Sequence, residues 1–342
     1  MTAPPASRFA FLGATAHSGT VDRVQVARGL ACMLLVLFHV IGGRQSDGLG
    51  IGDDEPLRLL LDFLLAIRMP MFAAISGYVY ALKPLDPARP GVFLRGKARR
   101  LALPLLSATT LFYLATLARQ PVPAGAAVVG LLHAYVFSYA IYWFLQAMLL
   151  IFLILPLLER RVLHSPWGIG AAIAIAFLLT VPAEPIDFLS INGAFFLAPY
   201  FFVGIAARRF ITLTPAIVRL ALAVLVVALG VHLAHVLTLP AGLRGGRGTA
   251  VALVIGAIVP VLTIAYAPRI RWIAKVGAAS FAIFLFHIFF VVPVRAVLLK
   301  VGVEDVATHI LIGMAAGLIG PMVLERLLLL TPPIRRLFLG LR

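Results

Sequence analysis

Charged residues are scarce in this chain of 342 residues, and their scarcity excludes a water-soluble fold. Asp, Glu, Lys and Arg together make up only 12% of the sequence, whereas 62% of the residues are hydrophobic. A soluble domain carries about one-quarter charged residues. Apolar runs long enough to cross about 30 Å of hydrocarbon as helices recur along the whole chain. The composition therefore predicts an integral membrane protein.

Cysteine, long polar stretches and the short motifs of several enzyme classes are also missing. The single cysteine, Cys32, lies inside an apolar run, which excludes a disulfide framework and a cysteine-based metal site. No HExxH, CxxC, GxGxxG or P-loop motif occurs, so we expect neither a bound metal nor a tightly bound cofactor. One membrane domain is predicted over residues 23–332, between a cytoplasmic N-terminal segment, 1–22, and a cytoplasmic basic tail, 333–342.

The positive charge of the chain is large but unevenly distributed. There are 29 Lys and Arg residues against 13 Asp and Glu residues, a net charge of +16, and they cluster between the apolar runs. Such clusters mark the cytoplasmic loops of membrane proteins, and they also bind anionic headgroups or a phosphorylated substrate. We therefore expect membrane lipids, and not nucleic acid, among the partners.

The apolar runs predict an all-α protein with about ten transmembrane helices. With both termini in the cytoplasm, 20 Lys and Arg residues fall in inside segments and 7 in outside segments. The positive-inside rule thus favours N-in and C-in, hence an even number of spans. No internal repeat is visible, which disfavours transporters that are built from repeated halves. The predicted spans are 24–43, 60–82, 101–118, 140–158, 167–182, 190–207, 216–238, 249–267, 277–294 and 307–329.

Residues 121–139 are the exception in this topology. They are apolar, but they begin with a Pro- and Gly-rich stretch and are short for a full crossing. We interpret them as a short outer-face or re-entrant helix. A full crossing would turn the later arginine clusters outward, against the charge rule.

The first predicted span contains two ionisable residues, Arg28 and His39, in otherwise apolar sequence. Eleven residues place them about 20° apart around a helix and about 16 Å apart along it. One explanation is structural: the arginine reaches the headgroups and the histidine bonds a neighbouring helix. The other is functional: Arg28 holds an anionic group at the cytoplasmic mouth, and His39 is a general base near mid-bilayer.

The second predicted span has polar residues with the same two explanations. Arg68 lies well inside the span and needs an anion, a carbonyl group or water as a partner. Ser76, which is followed by Gly77, suits either close helix packing or substrate binding. The loop after this span carries six basic residues against one acid. It either signals the cytoplasmic side or binds the phosphates of a nucleotide-bearing donor.

Later spans contribute four further candidates. Tyr142 and Trp143 lie near the predicted outer end of a span, where aromatic side chains anchor helices at the membrane interface. Gln146 has no such explanation, so we consider it for substrate binding. His287 is a second imidazole in apolar sequence, for which both a hydrogen bond in the core and a place in the substrate site are considered.

Taken in order, these segments resemble the acyltransferase 3 family of bacterial membrane acyltransferases, which modify lipopolysaccharide, exopolysaccharide and similar glycans. Their order and spacing match the family across almost the whole chain. Three departures exist: Gln25 stands where an Asp is expected, the aromatic run before Ser-Gly-Tyr is reduced to Phe72-Ala73-Ala74, and no Pro follows His287. The matching segments are ARGLACMLLVLFHV (27–40), RMPMFAAISGYVY (68–80), YWFLQAMLL (142–150), PYFFVGIAARR (199–209) and SFAIFLFHI (280–288).

The resemblance implies a ten-helix core in the bacterial inner membrane, an acyl-CoA donor on the cytoplasmic side, and His39 as the catalytic residue with Arg28 as its partner. We expect acetyl-CoA as the default co-substrate and a glycan or lipid-linked sugar as the acceptor. The residues expected to engage the donor are Arg95, Lys97, Arg99 and Arg100. The candidate substrate-binding residues are Arg68, Ser76, Tyr142, Trp143, Gln146 and His287.

Two rival functions are left open by the residues themselves. A transporter or flippase of an anionic lipid-linked sugar would line a pathway with Arg28, Arg68 and His39 and form no bond. A structural or sensory membrane protein would use the buried cations for stability only. Within the enzyme hypothesis, His39 either deprotonates the acceptor hydroxyl or carries the acyl group itself.

Overall fold

The computed structural model describes residues 22–180, 187–244 and 248–341, and its regular elements in these ranges are helices. The predicted segment 1–22 lies outside the described residues, apart from Asp22. The first helices are α1 (Arg23–Ile41), α2 (Pro56–Leu82), α3 (Pro90–Lys97), a π-helical turn (Ala98–Ala102), α4 (Leu103–Arg119), α5 (Ala124–Val136), a 3-10 turn (Ala140–Tyr142), α6 (Trp143–Glu159), α7 (Pro166–Leu178) and α8 (Ile191–Arg209). The others are α9 (Pro215–Thr238), α10 (Ala241–Arg244), α11 (Ala250–Tyr266), α12 (Arg271–Ala278), α13 (Ser280–Phe286), α14 (Ile288–Lys300), α15 (Val306–Leu330) and α16 (Pro332–Leu339).

Seven helical stretches in the described ranges are long and apolar enough to cross a membrane. Helices α13 and α14 form a further candidate span that is bent by 53° at their junction. The two other predicted spans, 167–182 and 249–267, correspond to shorter apolar helices of 13 and 17 residues. The chain is therefore an all-helical integral membrane protein, and ten spans with N-in and C-in orientation stay a prediction.

The doubtful segment 121–139 contains α5, a helix of 13 residues whose apolar side chains are mostly exposed. At 1.5 Å per residue, such a helix is about 20 Å long. The hydrocarbon core is about 30 Å thick, so α5 alone is too short to cross it. This length agrees with the short outer-face or re-entrant helix that the sequence predicts.

Helix α1 begins and ends at clear local signals. The Asp22 side chain accepts a hydrogen bond from Val24 N at 2.9 Å, which satisfies a free amide at the helix start. At the other end, Gly42 has a φ of 102°, which favours glycine and stops the helix. His39 therefore lies in the last turn of α1, and its expected depth near mid-bilayer stays a prediction.

The loop after α1 folds back over the end of that helix. Leu49 N donates to the Ile41 carbonyl at 2.9 Å. The buried Arg58 guanidinium, at the start of α2, donates to the carbonyl oxygens of Gly42 and Ile51. Backbone carbonyls thus partner a charge that would be costly to bury alone. The loop is held against the end of α1 that carries His39.

Close glycine contacts set the position of α1 against α12 and α13. A Cβ atom at Gly277 would overlap the backbone of α1, and one at Gly29 would overlap the backbone of α12. Further along, Cys32 Sγ lies 3.9 Å from the Ser280 carbonyl oxygen. Gly29 faces Gly277, and Cys32 faces Ser280. In both pairs the two residue numbers differ by 248. The two segments therefore run parallel and in register.

Helices α2 and α8 touch through a second glycine pair. A Cβ atom at Gly77 would overlap the Phe201 carbonyl oxygen, and one at Gly204 would overlap the Ala74 carbonyl oxygen. Small residues of this kind let helix backbones approach closely inside a membrane. The buried Glu159 carboxylate adds a polar tie nearby, because it accepts from Arg209 Nη2 at 2.5 Å and from Tyr80 Oη at 2.8 Å.

The predicted basic tail, 333–342, contains the helix α16, which packs against α4. Ser107 Oγ donates to the Leu337 carbonyl at 3.0 Å, and Arg99 Nε donates to the Gly340 carbonyl at 3.2 Å. Leu339 is buried. Whether this segment is cytoplasmic stays a prediction.

Replacing Gly277 by alanine would force a methyl group into the backbone of α1. Overpacking of this kind lowers stability by about 1–3 kcal/mol. We expect Gly277→Ala to lower the apparent melting temperature of the purified protein in detergent. The control is Gly230→Ala on α9, where no atom lies within 4 Å of the new Cβ. A Gly277→Ala protein as stable as wild type would contradict the close contact between α1 and α12.

Candidate active site

Two histidines from distant parts of the chain contact each other. His39 lies in the last turn of α1, and His287 lies at the bend between α13 and α14. His287 Nε2 is 3.2 Å from His39 Nδ1, and the ring centroids are 4.8 Å apart. Their separation is again 248 positions. The register that pairs Gly29 with Gly277 thus also brings the imidazoles together.

Backbone carbonyl groups decide which nitrogen of each ring carries a proton. His39 Nδ1 is 2.9 Å from the Leu35 oxygen, and His287 Nδ1 is 2.8 Å from the Ile283 oxygen and 3.1 Å from the Phe284 oxygen. A carbonyl oxygen only accepts hydrogen bonds, so both Nδ1 atoms are donors. His287 Nε2 is then an acceptor, and the His39 Nδ1–H group is shared between the Leu35 oxygen and His287 Nε2.

The second nitrogen of His39 differs from the first in its hydrogen bonding. With the proton on Nδ1, the Nε2 atom of the neutral ring carries a lone pair. No hydrogen bond within the described part of the chain engages His39 Nε2. The His39 side chain is half-buried, whereas His287 is 0% exposed. His39 is therefore partly accessible, and His287 is not.

The buried Tyr142 helps to hold the bend in place. Its hydroxyl donates to the Leu285 carbonyl oxygen at 3.1 Å, two residues before His287. We considered Tyr142 as an interface anchor or as a substrate ligand. In this structure its hydroxyl instead ties α13 to the start of α6.

A buried arginine, Arg68, lies close to the histidine pair. Its Cζ atom is 3.5 Å from the centre of the Phe38 ring, and Phe38 packs edge-on against His39 with ring centroids 5.2 Å apart. Phe38 thus lies between the Arg68 guanidinium and the His39 ring. The structure therefore brings Arg68, His39 and His287 into one region of the bundle.

Arg28 is buried and does not lie on an open basic surface. Its Nη1 atom donates to Gln25 Oε1 at 3.4 Å, a long hydrogen bond to a neutral group. Gln25 is the residue that stands where the family pattern led us to expect an Asp. Arg28 is one residue from Gly29, so it lies where α1 packs against α12. The guanidinium is thus placed inside the bundle, on the same helix as His39.

Two other candidate substrate residues, Ser76 and Trp143, make contacts within the protein. Ser76 Oγ donates to the Phe72 carbonyl of its own helix at 2.8 Å, while its neighbour Gly77 packs on α8. These contacts favour the packing explanation for Ser76. Trp143 packs on Gly193, where an added Cβ atom would lie 2.8 Å from the indole ring.

Gln146 has both ends of its amide engaged. Its Nε2 atom donates to the carbonyl oxygens of Tyr135 at 3.0 Å and of Phe137 at 3.4 Å, and its Oε1 atom accepts from Ser190 Oγ at 2.5 Å. The buried amide therefore joins the end of α5 to the start of α8. A polar residue inside a span is explained here by hydrogen bonds between segments.

The four residues expected to engage a donor lie in and beside the π-helical turn, but they do not share one environment. Arg95 is exposed, and Arg100 is half-buried. Lys97 Nζ lies 3.4 Å from the centre of the Phe152 ring, a cation–π contact that directs the ammonium group inward. Arg99 is half-buried and bonds the Gly340 carbonyl. Sequence reasoning missed these inward contacts, because they depend on residues distant in the chain.

The structure thus defines a class of protein: a multi-helix membrane protein with two contacting histidines and a buried arginine inside its helix bundle. Residues 21–326 match the model of the acyltransferase 3 family, which is described as an acyltransferase domain. The chain belongs to this family, and it is a multi-pass membrane acyltransferase. No curated protein and no solved structure matches the chain. The matched residues include Arg28, Arg68, His39 and His287, whereas α16 lies beyond them.

Replacing Gln146 by leucine tests whether its amide is structural. Leucine would remove the hydrogen bonds to the Tyr135 and Phe137 carbonyls and to Ser190 Oγ. Each buried polar group left unsatisfied costs about 1–3 kcal/mol. We expect Gln146→Leu to lower the apparent melting temperature in detergent, whereas Gln45→Leu in the exposed loop after α1 leaves it unchanged. A Gln146→Leu protein with wild-type stability but without transferase activity would restore Gln146 as a substrate ligand.

Proposed function

We propose that this acyltransferase moves an acyl group, acetyl by default, from acyl-CoA to a hydroxyl group of a cell-envelope glycan or lipid-linked sugar. One observation carries the proposal: the accessible His39 ring, whose Nδ1–H group is held by the Leu35 carbonyl and His287 Nε2. This arrangement leaves the His39 Nε2 lone pair as a general base with a defined direction.

The proposed reaction needs one proton to move twice. His39 Nε2 takes the proton of the acceptor hydroxyl while that oxygen attacks the thioester carbonyl carbon. The carbon–sulfur bond then breaks, and the imidazolium returns the proton to the leaving CoA sulfur, so the products are the sugar ester and free CoA. In the alternative order, His39 Nε2 first accepts the acyl group and then passes it to the hydroxyl.

Arg68 supports this chemistry by its charge and its burial. Attack on a thioester places negative charge on the carbonyl oxygen, and a positive charge that is already in place lowers the energy of that state. The guanidinium of Arg68 lies against Phe38, the neighbour of His39. We assign Arg68 to the acyl carbonyl group, and this refines its expected role in substrate binding.

The donor approaches from the end of α1 that carries Arg28. In the proposed N-in orientation this end is cytoplasmic, where acyl-CoA is available. Arg95 is exposed for a first contact with the CoA phosphates, and Arg28 lies about 16 Å from His39 along the helix. His39 lies in the last turn of α1. The donor must therefore extend along nearly the full length of this helix to bring its thioester group to His39.

The acceptor approaches from the opposite end. The folded loop that Arg58 holds lies over this end of α1, close to His39. In the N-in orientation that side faces out of the bacterial inner membrane, where envelope glycans are found. His39 lies near this loop, so a sugar hydroxyl that enters from this side has only a short distance to travel to reach it.

Removing the imidazole of His39 tests the general base. Loss of general-base catalysis lowers a rate by about 10²- to 10⁴-fold. We expect His39→Ala to lose transfer of label from radiolabelled acetyl-CoA to a cell-envelope glycan extract by such a factor. The control is His232→Gln, since His232 is a fully buried histidine that bonds the Phe63 carbonyl and lies on α9, away from the histidine pair.

The same assay separates the enzyme from its rival. A folded His39→Ala protein that transfers label at the wild-type rate would contradict the assignment of the base. Movement of a lipid-linked sugar across vesicles of wild-type protein, without incorporation of label, would contradict the transfer reaction and favour the flippase.

Replacing Arg28 tests the donor path. A hydrogen bond to a charged group contributes about 1.5–3 kcal/mol, so we expect Arg28→Gln to raise the KM for acetyl-CoA by about tenfold or more. Arg28→Lys, which keeps the charge but loses the planar fork, should have a smaller effect. Arg44→Gln removes an exposed cation at the other end of α1 and is the control. An unchanged KM for Arg28→Gln would remove Arg28 from the donor site.

A further inference from the structure

His287 has a position that does not suit its expected role in substrate binding. The side chain is 0% exposed. Its Nδ1 atom is engaged by the carbonyl oxygens of Ile283 and Phe284, and its Nε2 atom faces His39 at 3.2 Å. Neither nitrogen is left for a sugar or for a thioester.

We propose that His287 is a positioning residue: as a neutral acceptor, it holds the His39 Nδ1–H group and keeps His39 Nε2 directed at the substrate. This inference rests on the proposed function, in which His39 is the base. When His39 takes the acceptor proton, its ring becomes positively charged and the Nδ1–H group becomes a stronger donor. His287 Nε2 then accepts a charge-assisted hydrogen bond, and this bond stabilises the positively charged His39 ring.

The bent span supplies the geometry for this role. Helix α13 ends at Phe286, and the chain turns by 53° into α14. His287 lies at the turn, where the carbonyl groups of the last turn of α13 hold its Nδ1–H group. With that proton in place, only Nε2 remains to accept a hydrogen bond. The bend therefore determines the tautomer of His287, and His287 in turn supports the tautomer of His39.

Two contacts fix the position of α13, one with the start of α6 and one with α1. The Tyr142 hydroxyl bonds the Leu285 carbonyl near the bend, and Cys32 Sγ contacts the Ser280 carbonyl at the other end of α13. Cys32 and His39 are seven residues apart, as are Ser280 and His287. Seven residues are about two helical turns. Parallel segments that are in register at Cys32 and Ser280 are therefore also in register at His39 and His287.

A neutral acceptor suits the surroundings of this histidine pair better than a carboxylate or a second cation. His39 on α1 contacts His287, and Arg68 on α2 lies beyond Phe38, which packs against His39. A positive charge on His287 would be buried between two other basic groups, at a large desolvation penalty. The neutral ring avoids this penalty and still offers the lone pair that His39 requires.

Two amide substitutions separate the positioning role from simple packing. A glutamine at position 287 places its amide near the former Nε2 atom, so its oxygen can accept from His39. An asparagine is shorter and reaches only the former Nδ1 position, so it can bond the Ile283 carbonyl but not His39. The variants are therefore His287→Gln, which keeps the proposed contact, and His287→Asn, which keeps the local one.

The experiment compares kcat and the KM for acetyl-CoA in the full-length protein with both variants, and the controls are His39→Ala and His232→Gln. Positioning partners of this kind contribute about 10- to 100-fold to activity. We expect His287→Asn to lose kcat by that factor at an unchanged KM, and His287→Gln to recover most of it. The melting temperature and the binding of labelled acetyl-CoA verify that each variant is folded.

The outcomes distinguish this inference from the function on which it rests. An active His39→Ala protein would overturn the proposed function itself. With His39→Ala inactive, equal kcat values for folded His287→Gln and His287→Asn, whether reduced or normal, would overturn the positioning role of His287 alone. A kcat that falls only in step with the melting temperature would likewise assign His287 to packing.

Discussion

The parallel register between α1 and the segment formed by α12 and α13 is the constraint on which the site depends. It is set by Gly29 and Gly277, where the helix backbones are too close for any side chain. The same offset of 248 positions recurs at Cys32 with Ser280 and at His39 with His287. Because a helix is stiff, a contact set at one end determines which side chains meet three turns away. The glycines thus fix the geometry of a proposed site about 15 Å from them.

The other members of the site are placed by similar means. Helix α2 is held against α8 through Gly77 and Gly204, and α2 carries Arg68 to the histidines. Inside a bilayer, apolar side chains gain little by leaving lipid for protein, so close packing and internal hydrogen bonds decide how helices associate. This explains why several segments that resemble the family contain a glycine or a small residue: they are the surfaces through which the helices touch.

The buried polar residues divide into two groups once their partners are known. The first group is bonded inside the fold and connects or stabilises segments. The hydrogen bonds of Gln146, Tyr142 and Ser76 go to backbone carbonyl groups, and Gln146 also accepts from Ser190. His39 keeps one nitrogen unbonded within the described residues and is partly accessible. Under the proposed function, this unbonded nitrogen is the feature that separates His39 from Gln146, Tyr142 and Ser76.

The sequence alone determined that this is a helical membrane protein, that Arg28 and His39 lie on one face of the first helix, and that Arg68 is buried. These follow from the length of apolar runs and from helical periodicity, which are local properties. The family could also be inferred, because its segments keep their order along the chain.

Only the tertiary structure decided that His287 meets His39, that Lys97 turns toward Phe152, and that the Gln146 amide joins three segments. Each of these arrangements includes a contact between residues far apart in the chain, which for Gln146 is the one with Ser190. Their existence depends on how backbones approach at a few glycines, on the bend at His287 and on which carbonyl groups are left to accept. Hydropathy and periodicity describe one helix at a time, so they carry no information about the register between two of them.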